Sequence, residues 1–261
     1  MTATTADPAP DVDLQHLACK CCGGDAVVYG AVEFNRTCED REGPVFPPSG
    51  VDIPYHRCAA CGFIFTIAFD HFGTAEFGQY IYNEAYPLAD PDFAERRPAS
   101  NAELLRSTFG GAIGTLKVLD YGGGNGLLAQ RLHTLGFTGA TTYDPFYAGS
   151  ERPQGTFDLV TAFEVLEHTP TPRDTLADMS SLLSSEGMLF CSTLLQPPDI
   201  DQLRLRWWYA APRNGHVSLY SRHALTALAA SVGLTYGGGN ELLHIFHRGR
   251  LPSFARHLVT A

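Results

Sequence analysis

The chain has 261 residues, 44% of them hydrophobic, which suffices for one domain of ordinary size plus a small appendage. A formal net charge of −10, with Lys20 and Lys117 the only lysines, argues against the basic face that broad nucleic-acid binding needs. No stretch approaches the length of a membrane span and the small, polar first ten residues do not form a secretory leader, so a cytoplasmic protein is expected.

In chain order, residues 1–13 are expected to form a disordered tail, and residues 14–90 a metal-binding module with an aromatic lid or linker. The module rests on Cys19-Lys20-Cys21-Cys22-Gly23 and Cys58-Ala59-Ala60-Cys61-Gly62, two C-x-x-C-G knuckles with residues 24–57 between them. Each loop aims two thiolates at one point, and its glycine permits the tight turn that follows. Cys19, Cys22, Cys58 and Cys61 are therefore the expected ligands of a closed tetrahedral zinc site, with Cys21, Cys38 and Cys191 as bystanders. Disulfide pairing is the alternative, but paired C-x-x-C loops in a cytosolic protein usually hold metal. A ribbon of about 50 residues has little apolar core, so the metal would supply much of its folding energy. Its expected role is structural, placing a cap over a neighbouring cleft.

Phe63-Ile64-Phe65 reads as the strand leaving the second knuckle. The rings that follow, Phe69, Phe72, Phe77, Tyr80, Tyr82 and Tyr86, make either one wall of a substrate pocket or a joint between domains. Residues 88–100, rich in Pro, Asp and Arg, read as the junction, and Ser100 with Glu103 predicts a capping box for a helix through Phe109.

Residues 91–261 carry the larger domain. Val118-Leu119-Asp120-Tyr121-Gly122-Gly123-Gly124-Asn125-Gly126 is an apolar strand that breaks into a glycine turn behind one acid. A helix follows through Leu127, Leu128, Arg131, Leu132 and Leu135, stopped by Gly136. Further strands are predicted at Ala140–Tyr143, Phe157–Phe163 and Met188–Leu195. Thr171 and Pro172 open the helix between the last two, whose apolar face is Leu176, Met179, Leu182 and Leu183. Ser221 caps a final helix ending at Gly233, and Leu234–Tyr236 with Leu242–His247 form an edge hairpin. Strands alternating with helices predict an α/β fold: a doubly wound, Rossmann-like and mostly parallel sheet with an antiparallel edge hairpin, behind a small zinc ribbon.

The pattern D-x-G-x-G-x-G, filled by Asp120, Gly122, Gly124 and Gly126, resembles the first motif of the class I S-adenosylmethionine-dependent methyltransferases. The resemblance covers about residues 100–250 and implies S-adenosylmethionine as cofactor, with Asp120 holding its amino-acid end directly or through water. Asp144, at the end of the next predicted strand after Asp120, suits the ribose hydroxyls or, alternatively, caps the turn at Pro145. Tyr121, Gly122, Gly124, Asn125, Asp144, Pro145 and Glu164 complete the cofactor-binding candidates. Only positions 145–156 separate Asp144 from Phe157, too few for the helix and strand that the family usually has there. Adenine is accordingly expected among apolar contacts and backbone groups, flanked by Tyr143 or Phe146.

Methyl transfer is an in-line displacement, so the protein must align the nucleophile and take its proton. His168, in Glu164-Val165-Leu166-Glu167-His168, and His216, in Asn214-Gly215-His216-Val217, are the candidate bases, with Glu167 as the third catalytic candidate. The E-x-x-E-H pattern also resembles a divalent-metal site of ubiquinone-pathway catechol O-methyltransferases and small-RNA 2′-O-methyltransferases. That resemblance implies Mg2+ held by Glu164, Glu167, His168 and His216. A metal-free histidine base, and purely structural roles for these residues, remain alternatives. Residues 196–220, with Trp207, Trp208 and several arginines, are expected either to build the acceptor pocket or to pack as an ordinary amphipathic helix.

The cysteine module at about residues 15–90 resembles the ribbon that precedes this fold in bacterial sugar C-methyltransferases. Those enzymes continue into a further C-terminal domain without a counterpart here, which weighs against a sugar. The expected function is transfer of a methyl group to a small biosynthetic acceptor. Modification of RNA or protein with the ribbon as reader, and cofactor binding without catalysis, are the alternatives. The atom methylated and the oligomeric state do not follow from these residues.

Overall fold

A computed structural model describes residues 16–147 and 149–259; the tail expected at residues 1–13 lies outside them. Four strands open the chain: β1 His16–Ala18, β2 Asp25–Glu33, β3 Asp52–Cys58 and β4 Ile64–Phe65, each antiparallel to the next. Ala26, Tyr29 and Val32 turn their side chains inward along β2, and a bulge between Val28 and Gly30 resets the alternation.

Helices α1 Thr74–Tyr80, α2 Tyr86–Ala89 and α3 Arg96–Phe109 follow. α3 begins at Arg96, ahead of the predicted cap at Ser100, so Ser100 and Glu103 lie inside it, and Glu103 pairs with Arg106 instead of capping. The expected junction at 88–100 is not slack. Arg97 donates to both carboxylate oxygens of Asp90, at 2.8 and 2.9 Å, which ties the first turn of α3 to the end of α2.

The second sheet is built from β5 Lys117–Tyr121, α4 Leu127–Thr134, β6 Gly139–Tyr143, β7 Phe157–Phe163, α5 Pro172–Ser181 and β8 Leu183–Ser192. After α6 Ile200–Leu203 and β9 Ser218–Leu219 come α7 Arg222–Ser231 and the hairpin β10 Thr235–Gly238 and β11 Leu243–His247. The order is β10-β11-β8-β7-β5-β6, with β6, β5, β7 and β8 parallel and β11 and β10 antiparallel, as the hydrophobic pattern predicts. β6 is the edge on one side: among the described residues, the short stretch after Asp144 adds no further strand.

A predicted cap and a strand start also differ from expectation. Thr171 makes no side-chain cap, and Pro172 alone marks the start of α5. β8 starts at Leu183, not Met188: Phe157 faces Leu183 and Leu159 faces Met188, so residues 184–187 bulge out of the ladder. Gly187 is needed there, since a Cβ would lie 2.7 Å from the Phe157 carbonyl oxygen.

β9 does not join this second sheet. It pairs with β4, Ile64 opposite Leu219 and Phe65 opposite Ser218, and so completes the N-terminal sheet as its fifth strand. The cores merge accordingly: Phe63 and Phe65 belong to one buried cluster with Leu119, Leu176 and Leu225. Full burial of each such ring is worth about 1.5–3 kcal/mol. Ser221 caps α7 as predicted, accepting from the Ala224 N–H at 2.9 Å, while its own hydroxyl donates to the Cys61 carbonyl. Among the described residues no helix is long and apolar enough to cross a membrane.

Candidate active site

A cleft of about 710 Å³ opens at the carboxyl ends of β5, β6 and β7, floored by the glycine loop and walled by the segment from Phe77 to Asn101. Asp120 is the penultimate residue of β5, at 3% exposure. Its Oδ1 accepts weakly from Thr161 Oγ1 at 3.4 Å, and its Oδ2 has no partner. Burial pushes this carboxyl up to about 7, with Thr161 opposing and the nearby Asp144 charge adding.

Gly122, Gly124 and Gly126 all have positive φ, as the motif requires. The residue that fits beneath Asp120 is Gly123, at a position the motif leaves open. A Cβ there would stand 2.0 Å from Asp120 Oδ2 and 2.9 Å from Thr142 Cγ2. The run of three consecutive glycines was the only sign of it in the sequence.

Asp144 accepts from the Gly124 N–H at 2.9 Å and the Phe146 N–H at 2.8 Å, so it shapes the loop and caps its own turn while lining the cleft. Asn125 accepts from the Leu127 N–H at 3.2 Å at the start of α4. Pro145, Phe146 and Tyr147 line the cleft, but the ring of Tyr143 does not: it meets Tyr121 edge-on at 5.5 Å. Tyr121 offers the cleft little more than backbone, because its hydroxyl donates to Asp178 at 2.9 Å.

Glu164 follows β7 with φ of 53°, a left-handed conformation that a non-glycine residue adopts at a cost. Its N–H donates to Ser192 Oγ at 2.9 Å, and that hydroxyl donates back to Glu164 Oε1 at 2.7 Å. A short 3-10 turn, Leu166–His168, carries the next two candidates. Glu167 is fully buried; its Oε1 accepts from the Tyr209 hydroxyl and its Oε2 has no partner. Burial, then the Glu164 charge, raises the Glu167 carboxyl well above its ordinary value. His168 lines the cleft, and burial followed by the Arg97 charge lowers it to about 4. His216 does not line the cleft. It sits behind His168, ring centroids 5.0 Å apart, and burial followed by His168 lowers it to about 3.

Ligand atoms of Glu167, His168 and His216 all lie within 4.8 Å of one another, close enough to hold one ion. Glu164 stands outside that group, beside Glu167 and held by Ser192. The four-residue grouping read from E-x-x-E-H is thus three residues plus a neighbour.

The acceptor wall expected from residues 196–220 lies elsewhere. Trp207 is buried under the N-terminal sheet, Trp208 lies beneath Arg41 at 4.3 Å, and the Arg213 guanidinium donates to the Ile81 carbonyl at 2.7 Å. None of that segment faces the cleft. The wall is instead Phe77, Tyr82, Tyr86 and Phe93, with Arg97 and Asn101 from α3. Dense aromatics at 69–86 signalled part of it; the α3 residues carried no such signal, because their place depends on how α3 lies over the sheet.

In the turns that follow β1 and β3, Cys19, Cys22, Cys58 and Cys61 bring their sulfurs within 4.8 Å, and Cys21 is not among them. Cys19 and Cys61 Sγ are 3.6 Å apart, Cys22 and Cys58 Sγ 3.5 Å, and none is in a disulfide. The two knuckles repeat one backbone pattern. Gly23 and Gly62 donate to the carbonyls of Cys19 and Cys58, whose own N–H groups donate to Gly24 and Phe63. Hydrogen bonding from Cys21 and Cys61 pulls Cys19 down while Cys61 is driven up, the response of crowded thiols that cannot all ionise without a cation.

Strand order, acid-led glycine loop and cleft position define a nucleotide-cofactor-binding α/β domain. Residues 93–236 match the family described as "Methyltransferase domain", and the chain belongs to it. A ubiquinone biosynthesis O-methyltransferase of Burkholderia multivorans is 46% identical over 43 residues, 16% of this chain and 18% of that protein. One from Xanthomonas campestris is 33% identical over 112 residues, 33% of this chain and 46% of that protein. The chain therefore spans less than half the length of these curated relatives. A solved 1,6-didemethyltoxoflavin-N1-methyltransferase of Burkholderia thailandensis aligns at TM-score 0.46 with 15% identity, covering 68% of this chain and 87% of that one.

Proposed function

We propose that the protein is an S-adenosylmethionine-dependent methyltransferase acting on the hydroxyl of a small, flat acceptor. The observation that carries this reading is Asp120 Oδ2: a buried carboxylate oxygen without a partner, lining the cleft directly over the one glycine that makes room for it. A buried acceptor of this kind demands a donor, and the cofactor's ammonium group supplies one. Asp144 offers its remaining lone pairs to ribose hydroxyls, and Phe146 and Tyr147 an apolar surface to adenine. When bound, S-adenosylmethionine supplies an electrophilic methyl group on a sulfonium. Phe77, Tyr82, Tyr86 and Phe93 give a planar acceptor a wall that excludes water. The curated relatives, named as O-methyltransferases, favour oxygen as the atom modified.

Glu167, His168 and His216 fit a divalent cation such as Mg2+, on the ground that Glu167 Oε2 is buried without a partner and the three residues' ligand atoms converge. Such an ion would polarise the acceptor hydroxyl next to the cofactor site. Four converging thiols fit a structural zinc, since sulfurs 3.5–3.6 Å apart match a tetrahedron with Zn–S near 2.3 Å. Titration calorimetry with S-adenosylhomocysteine tests the first claim: wild type binds, and Asp120→Ala binds at least about tenfold more weakly. Absence of heat with zinc-replete wild type refutes it.

A further inference from the structure

We infer that Tyr209 is the positioning residue for Glu167 and His216 in their cluster with His168, a step that rests on reading that cluster as a divalent-cation site. Tyr209 lies between α6 and β9 and is buried. Its phenol accepts from the Leu194 N–H at 3.3 Å and donates to Glu167 Oε1. A phenol has one proton, and here it is committed to the carboxylate. Glu167 is thereby held by one oxygen with the other left open.

The same residue sets His216 through its backbone. The Tyr209 carbonyl lies 2.9 Å from His216 Nδ1, and a carbonyl can only accept, so Nδ1 carries the proton and Nε2 the lone pair. Its ring packs on the imidazole at 4.2 Å, and Trp207 and Trp208 close on the phenol ring at 5.3 and 5.4 Å. One residue thus holds a carboxylate through its hydroxyl and sets the tautomer of a histidine through its carbonyl, although the chain delivers the two from separate segments. Groups that orient metal ligands in this way typically account for 10–100-fold in metal affinity.

The test is Mn2+ binding to zinc-replete protein, followed by the electron paramagnetic resonance of the free ion. Tyr209→Phe keeps the ring and the carbonyl and removes only the hydroxyl. It is expected to weaken Mn2+ by roughly 10–100-fold, while S-adenosylhomocysteine affinity stays within twofold. Binding by wild type that Tyr209→Phe leaves unchanged overturns the inference alone. Wild type that binds no Mn2+ overturns the cation reading, and the inference with it. A second measurement needs no variant: nitrogen NMR of His216 in the wild type is expected to show the neutral Nδ1–H tautomer, and the Nε2–H form overturns the assignment.

Discussion

Gly123→Ala isolates the contact on which the proposed cofactor binding rests. Gly123 has an ordinary backbone conformation, so alanine meets no conformational penalty and acts only through its methyl group. That methyl would stand 2.0 Å from Asp120 Oδ2, where ordinary contact begins at 3.4 Å, so a shift of a few tenths of an ångström cannot relieve the clash. Thr142 Cγ2, 2.9 Å away, blocks the methyl on another side, and Thr161 stands against Asp120. The carboxylate must therefore leave its place, at an overpacking cost of about 1–3 kcal/mol in stability. A hydrogen bond to a charged ligand group is worth about 1.5–3 kcal/mol, so S-adenosylhomocysteine should bind roughly 10- to 150-fold more weakly. Calorimetry at one pH, with thermal melts of both proteins, measures both terms. Gly124→Ala is the comparison: with φ of 53° and no neighbour within 4 Å, it strains the backbone by about 1–2 kcal/mol without pushing Asp120. If Gly123→Ala binds within threefold of wild type and melts alike, Asp120 is not what grips the ligand.

Titration of Asp120 gives a second expectation. Its carboxyl sits at about 7 against an ordinary 3.8, so the folded state holds that proton more tightly than the unfolded chain. The stabilisation is complete below pH 3.8 and lost as pH rises through 7, a change on the order of 4 kcal/mol. Asp120→Asn removes it, so the stability difference between variant and wild type in denaturant titrations should grow from pH 4 to pH 7; a constant difference refutes the shift. Glu164→Gly and Glu164→Ala both lose the hydrogen bond from the Ser192 hydroxyl, but only glycine relieves the left-handed backbone at φ of 53°, so the glycine variant should be about 1 kcal/mol more stable than the alanine variant in thermal melts. Equal melting of the two variants would show that no strain is stored there. Elemental analysis should find one zinc per chain, absent from Cys58→Ser together with several kcal/mol of stability. Equal melting of metal-free and metal-replete protein would dismiss the zinc.

The loop from Asp120 to Gly126 and the two knuckles were legible because their signals are local: a residue type, a spacing and the turn it permits. So was the thinned sheet edge, since positions 145–156 leave no room for another helix and strand. What the sequence hid depends on chain segments meeting from afar. Trp207 and Trp208 look like pocket walls on composition, yet they pack beneath β2 and β3, a fate decided by where β9 pairs. Arg97 looks like part of a linker and lines the cleft, because Asp90 fixes it there. Tyr209 is one tyrosine of 11, and nothing near it in sequence announces that its hydroxyl and its carbonyl serve two different residues.

The pairing of β4 with β9 bears on how the protein is made. Phe65 leaves the ribosome long before Ser218, so the edge of the first sheet must wait, unpaired, for most of the chain to be synthesised. An open strand edge of that kind invites pairing with another nascent chain. If the knuckles hold zinc as proposed, its early capture would order the turn from Cys58 to Cys61 that leads into β4 during the delay, so starvation for the metal should show first as aggregation of newly made protein.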